Sequence, residues 1–94
     1  MKVHLKIFLP ELSEIIGGKE LTVEFSGETV GELFEHLATV YGQKARQALY
    51  DESGDFYPII QILLNGEEWV TPDQLDRLLR DGDDILLMMM IAGG

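Results

Sequence analysis

Few residues in this sequence could do chemistry, and most are excluded by their context. There is no cysteine, so neither a thiol nucleophile nor a disulfide can form. No serine sits in a nucleophile motif and no glycine-rich phosphate loop is present. Asp81, Asp83 and Asp84 resemble a calcium-binding turn at first glance. No distal bidentate glutamate follows, because the chain turns apolar from Ile85 onward, and the three read as solvated turn residues. His4 and His36 lack the spacing of a ligand pair. What remains is main chain: the pair Gly93-Gly94 at the end of the sequence. Residues without Cβ let the backbone extend and let another molecule approach closely. No side chain of this chain has the context of a catalyst. The competing reading of the pair is a frayed, functionless end.

Composition limits what holds that terminus. The 94 residues leave room for one domain with one core. An apolar content of 46% is too high for a disordered chain. A domain this small buries only about 60 to 65% of its extended-chain surface, so its stability is expected to be modest. Seven basic against 17 acidic residues give a net charge of −10, which opposes binding to nucleic acid or an anionic membrane and favours a basic protein partner. Met1-Lys2-Val3-His4 has none of the features of a signal peptide, so a cytoplasmic location is expected. The longest apolar run, residues 85–92, falls far short of the roughly 20 residues of a membrane span.

The elements follow from periodicity. Val3, Leu5 and Ile7 alternate with Lys2, His4 and Lys6, and Leu21, Val23 and Phe25 alternate with Glu20, Thr22 and Glu24, which predicts two half-buried antiparallel strands. Residues 9–19, with Pro10 and Gly17-Gly18, are expected to form a long hairpin connection. Thr29-Val30-Gly31-Glu32 has the spacing of a capping box. Val30, Leu33, Phe34, Leu37 and Tyr41 then make one stripe on a helix ended by Gly42. Residues 44–50 predict a short second helix. Residues 59–64 run into the hairpin signal Asn65-Gly66, after which residues 67–70 pair back. Thr71-Pro72-Asp73 opens a short helical segment with Leu75, Leu78 and Leu79 inward, and residues 84–91 form the last strand. This order predicts an α+β fold, a grasp-like mixed sheet of about five strands over one main helix. The first and last strands are expected to lie parallel at its middle.

At this point four motifs coincide: Thr29-Val30-Gly31-Glu32-Leu33, Leu64-Asn65-Gly66, Asp81-Gly82-Asp83-Asp84-Ile85 and Gly93-Gly94. Together they resemble the ThiS/MoaD family of sulfur carriers, over residues 2–94. The resemblance implies a single ubiquitin-like β-grasp domain over residues 1–94, with residues 92–94 as a flexible reactive tail. It implies that an adenylating enzyme of the MoeB/ThiF type uses ATP to turn the Gly94 carboxylate into an acyl-adenylate and then a thiocarboxylate. Gly93 would allow the tail to be threaded, and no cofactor or metal would be bound by the chain itself. Residues 43–57 look like the insertion found in MoaD-like and other longer carriers; the MoaD type is the small subunit of molybdopterin synthase, whose large subunit accepts the sulfur for molybdenum cofactor. Carriers serving thiamine, cysteine or tRNA thiolation share the same tail, as do protein modifiers joined to lysines through the last glycine. The run Met88-Met89-Met90-Ile91-Ala92 lacks the prolines often found before it in the family.

The last strand also suggests where a partner docks. If Ile85, Leu87 and Met89 face the helix, Leu86, Met88 and Met90 face outward, beside Ile91 and Ala92. Exposed methionines adapt to irregular partner surfaces. Either Ile60, Ile62 and Leu64 or, in the opposite register, Ile59 and Leu63 would extend this surface. Trp69 is expected on the hairpin or at the interface. The competing reading is a strand buried on both faces, within the domain or in a homodimer.

Overall fold

In the computed structural model, which describes residues 1–89, the alternation of the N-terminal segment becomes β1 (Lys2–Phe8). Val3, Leu5 and Ile7 are buried, and Lys2, His4, Lys6 and Phe8 are exposed on the other face. β2 (Glu20–Glu24) returns antiparallel, setting Lys2 opposite Glu24, His4 opposite Thr22 and Lys6 opposite Glu20. Two of those three pairs join opposite charges, which favours this register.

The connection expected as a long hairpin loop is instead a helix, α1 (Pro10–Ile16). Pro10 supplies the pre-set backbone angle of a first helical turn. Leu12 is fully buried, with Ile15 and Ile16 packed beside it on the core. Gly17 ends the helix at φ 90°, ψ 21°, donating its N–H to the Ser13 carbonyl, a left-handed stop that suits a residue without Cβ.

α2 (Val30–Tyr41) is the main helix, and its capping box is formed. The Thr29 hydroxyl accepts the Glu32 N–H at 3.1 Å, and the Glu32 carboxylate accepts the N–H groups of Glu28 and Thr29 at 3.1 and 3.2 Å. The Glu28 backbone donor, then the Thr29 side chain, hold the Glu32 carboxyl below its ordinary value. Thr29→Ala is therefore expected to cost about 1 kcal/mol, read as a lower urea midpoint at unchanged slope. Because the folded pKa of Glu32 is depressed, its contribution is present above the unfolded carboxylate pKa and is lost as pH falls through the folded one. The gap between wild type and variant should narrow in acid; a gap independent of pH would refute the carboxylate's part in it.

Val30, Leu33, Phe34, Leu37 and Ala38 make the buried stripe of α2. Gly42 (φ 85°) breaks the helix, and α3 (Gln43–Leu49) starts at once, burying Ala45 and Leu49. Glu35 and Arg46 tie the two helices through a 2.7 Å ion pair. Beside it, burial and the Glu35 carboxylate push the Tyr50 hydroxyl up to about 12. Phe56 folds the following loop back onto the core, stacked on Phe34 at 5.1 Å.

β3 (Ile60–Leu64) and β4 (Glu68–Val70) are joined through Asn65 and Gly66, at φ 53° and 69°, the pair of positive angles a tight hairpin needs. The next segment departs from expectation. Only a 3-10 turn forms, Pro72–Gln74, and of the three leucines expected inward Leu79 is buried, Leu75 is partly buried and Leu78 is 60% exposed. Helical spacing does not govern this stretch because its backbone is engaged with the start of α2. Val30 N–H donates to Arg77 O, Gly31 N–H to Leu75 O, and Leu79 N–H to Glu28 O. The first two satisfy amides that a helix N-terminus leaves orphaned. Gly31 allows that approach, since a Cβ there would meet the Leu75 carbonyl at 3.1 Å.

β5 (Asp84–Met89) completes a sheet of order β2-β1-β5-β3-β4, parallel to β1 and antiparallel to β3. The core lies between its inner face and the helices, with Leu5, Ile7, Ile62, Ile85 and Leu87 meeting Leu33, Phe34 and Leu37. This is the α+β, ubiquitin-like β-grasp fold expected, with the main helix α2, the short second helix α3 and, in addition, α1.

Candidate functional site

The site residues expected from sequence divide at the end of β5. Met90, Ile91, Ala92, Gly93 and Gly94 lie outside the described residues. Leu86 and Met88 lie within β5 and are half-buried on the face away from the helices, while Ile85 and Leu87 between them are buried. Met89 shares the inner register with Ile60. It stands 42% exposed at the end of the strand, where the core no longer covers it.

The register of the sheet shows what surrounds the two outward residues. Leu86 lies between Lys6 on β1 and Leu63 on β3, and Leu63 in turn lies opposite Trp69 on β4. Met88 lies between Phe8 and Gln61. Two rows of side chains therefore cross the outer face: Trp69, Leu63, Leu86 and Lys6 in one, Gln61, Met88 and Phe8 in the other. Phe8 and Trp69 are 51% and 53% exposed. Exposed aromatics beside half-buried Leu and Met form a continuous apolar patch of the kind that marks interaction surfaces.

Of the two sets considered for β3, Ile60, Ile62 and Leu64 are buried and Leu63 of the other faces outward, while its second member, Ile59, is exposed but precedes β3. Phe8 was not among the expected residues. Its signal is an aromatic side chain at a position where the alternation of β1 calls for a polar one. Charge borders the patch on the β2 side, with Lys6 opposite Glu20 and the His4 ring 3.1 Å from the Thr22 hydroxyl.

The aspartates of the turn before β5 have structural partners. Asp81 accepts the Lys2 N–H at 2.7 Å, and Asp83 accepts the Asn65 side-chain amide at 3.0 Å and the Arg80 N–H at 2.7 Å. The Asp84 N–H donates to Asn65 Oδ1 at 2.8 Å. The two Asn65 bonds tie the Asn65-Gly66 hairpin to the start of β5, and the Asp81 bond ties the turn to β1, in the register in which Leu86 and Met88 face outward. Among the described residues no group of three His, Asp or Glu could hold a metal ion, and no helix is long and apolar enough to cross a membrane.

Comparison with known proteins agrees with this geometry. Residues 7–94 match the model of the ThiS family. The small archaeal modifier protein 3 of Haloferax volcanii is 30% identical over 95 aligned residues, covering all of both chains. Among solved structures, the crystal structure of SAMP1 from Haloferax volcanii superposes with a TM-score of 0.78 at 25% identity, again over the whole of both chains. A chain of the BexX/CysO complex of Amycolatopsis orientalis superposes at 0.72, also 25% identical, over 98% of this chain and 99% of that one. Fold, sheet register and a family match spanning nearly the whole sequence converge: the chain belongs to the ThiS family of ubiquitin-like sulfur carriers and modifiers.

Proposed function

We propose that this chain is a sulfur carrier whose working group is the Gly94 carboxylate. A carboxylate oxygen attacks the α-phosphorus of ATP held by an adenylating enzyme of the MoeB/ThiF type, and pyrophosphate leaves. A sulfur nucleophile supplied by that system then displaces AMP at the acyl carbon to leave a thiocarboxylate. The observation that carries this reading is the apolar patch on β5, the strand that leads to Gly93-Gly94. Leu86 and Met88, continued by Met90, Ile91 and Ala92, form the docking surface for the protein that takes up the tail. The chain works in the cytoplasm as one domain with residues 92–94 as its reactive tail, and it binds no cofactor of its own.

The acceptor favoured by residues 43–57 is the large subunit of molybdopterin synthase, with this chain as the small subunit. A second reading, a protein modifier linked to lysines through Gly94, is supported by the full-length similarity to a small archaeal modifier protein. Incubation with ATP, an adenylating enzyme and a sulfur source should give the mass gain of one oxygen exchanged for sulfur. A cognate adenylating enzyme that fails to activate Gly94 ends the proposal. Gly-Gly remnants on lysines of other proteins would turn the assignment to the modifier.

The docking surface has its own test. Replacing Leu86 and Met88 together by serine removes two anchors, each worth about 1 to 2 kcal/mol in a well-packed interface, so affinity for the adenylating enzyme should fall roughly 30- to 700-fold. Both side chains are partly exposed on the outer face and stand outside the core, so the melting temperature should change little. Unfolding of the double variant would count against a docking role.

A further inference from the structure

A second apolar feature lies on the other side of the point where β5 ends. Leu9 and Leu12 from the start of α1, Ala48 of α3, and Tyr57, Ile59 and Met89 line an open groove of about 170 Å³. That is close to the roughly 150 Å³ apolar cavity known to admit a benzene ring. Ile59 is 48% exposed at its wall, and Glu11 contributes a carboxylate to the lining. Met88 and Met89 are consecutive residues on opposite faces of the sheet. The first belongs to the outer patch and the second to the groove, so the chain leaves β5 between two apolar surfaces.

The tail determines what covers the groove. Gly94 is five residues beyond Met89, and an extended chain spans at most about 3.6 Å per residue, so its carboxylate lies within about 18 Å of the groove. An enzyme that takes this carboxylate into its own active site must bring its surface within the same reach. The chain it approaches carries a net charge of −10, which selects a basic surface.

We propose that this groove receives an apolar side chain, aromatic or leucine-sized, from a basic surface of the adenylating enzyme, so that the enzyme grips both faces of the strand end. This rests on the sulfur-carrier reading above. The outer patch supplies contact area, and the groove fixes the angle at which the tail enters.

Two full-length variants test it against the cognate adenylating enzyme. Ala48→Trp fills the groove, and Ile59→Lys sets a positive charge at an exposed position of its wall. Each should raise the Kd at least 10-fold by calorimetry, and the melting curve of Ile59→Lys should be like that of wild type. Ile59→Lys should also bind more weakly than Ile59→Ser, because it repels a basic surface. If wild type is adenylated and both variants bind within twofold of it, the groove proposal is overturned and the carrier reading stands. If Ala48→Trp fails to fold, the two Ile59 variants decide alone. If wild type is not adenylated at all, both fall together.

Discussion

Gly94→Val is expected to abolish thiocarboxylate formation, a loss of 100-fold or more in the rate of pyrophosphate release, with the fold and docking intact. The acyl carbon must come within bonding approach of the α-phosphorus of ATP, and a misplacement of about 1 Å in such a reaction costs about 100-fold. A β-branched side chain on the final residue crowds the acyl carbon and stiffens the one torsion that would relieve the clash. Among the described residues the last members of the core are Ile85 and Leu87, several positions before Gly94. Melting temperature and affinity for the adenylating enzyme should therefore match wild type. Gly94→Ala should lose less than Gly94→Val, which separates crowding from a general intolerance of change. A valine variant that carries sulfur at the normal rate would remove the acyl terminus from the mechanism.

Much of the architecture could be read in the sequence wherever one periodicity acted alone. The alternation in β1, the stripe of α2, the capping box at Thr29 and the Asn65-Gly66 hairpin all form as local physical chemistry requires. The parallel pairing of first and last strands followed from order and crossover rules. α1 was hidden because Pro10 and Gly17-Gly18 mark a turn as readily as they bound a short helix. The deciding signal was Leu12, Ile15 and Ile16 between them, with Leu9 just before, spaced to bury one face. Leu78 was misplaced for the opposite reason. A helical pattern was assumed where the backbone is instead engaged by α2, an interaction between residues far apart in sequence that no local pattern encodes.

The docking face was legible in part. Leu86 and Met88 could be assigned because every residue of β5 from Ile85 is apolar while only one face of the sheet meets the helices. The contributions of Phe8, Leu63 and Trp69 depend on which strands lie side by side and in what register. That information resides in the Asn65–Asp83 and Lys2–Asp81 bonds across the sheet rather than in any one segment.

The two faces of β5 should separate cleanly under mutation, and Leu87→Ala is the decisive case. Leu87 is fully buried between Ile7 on β1 and Ile62 on β3, which are themselves 0% and 1% exposed. Deleting the methine and two methyl carbons there leaves a cavity in the core that a central strand, held on both edges, cannot collapse to fill. The cost is expected to be about 3 kcal/mol, within the range for leucine to alanine in a packed core. Total stability is about 5 to 15 kcal/mol for ordinary domains, and a small one lies towards the lower end. Urea unfolding should show the midpoint falling sharply at unchanged slope. Below that midpoint, Leu87→Ala should still bind the adenylating enzyme with normal affinity, because its side chain never reaches the outer face. The serine pair at Leu86 and Met88 should do the reverse, keeping the midpoint and losing the partner. If Leu87→Ala weakened binding in the folded protein as much as the serine pair does, the two faces would be coupled, and the division of the strand into a core side and a docking side would fail.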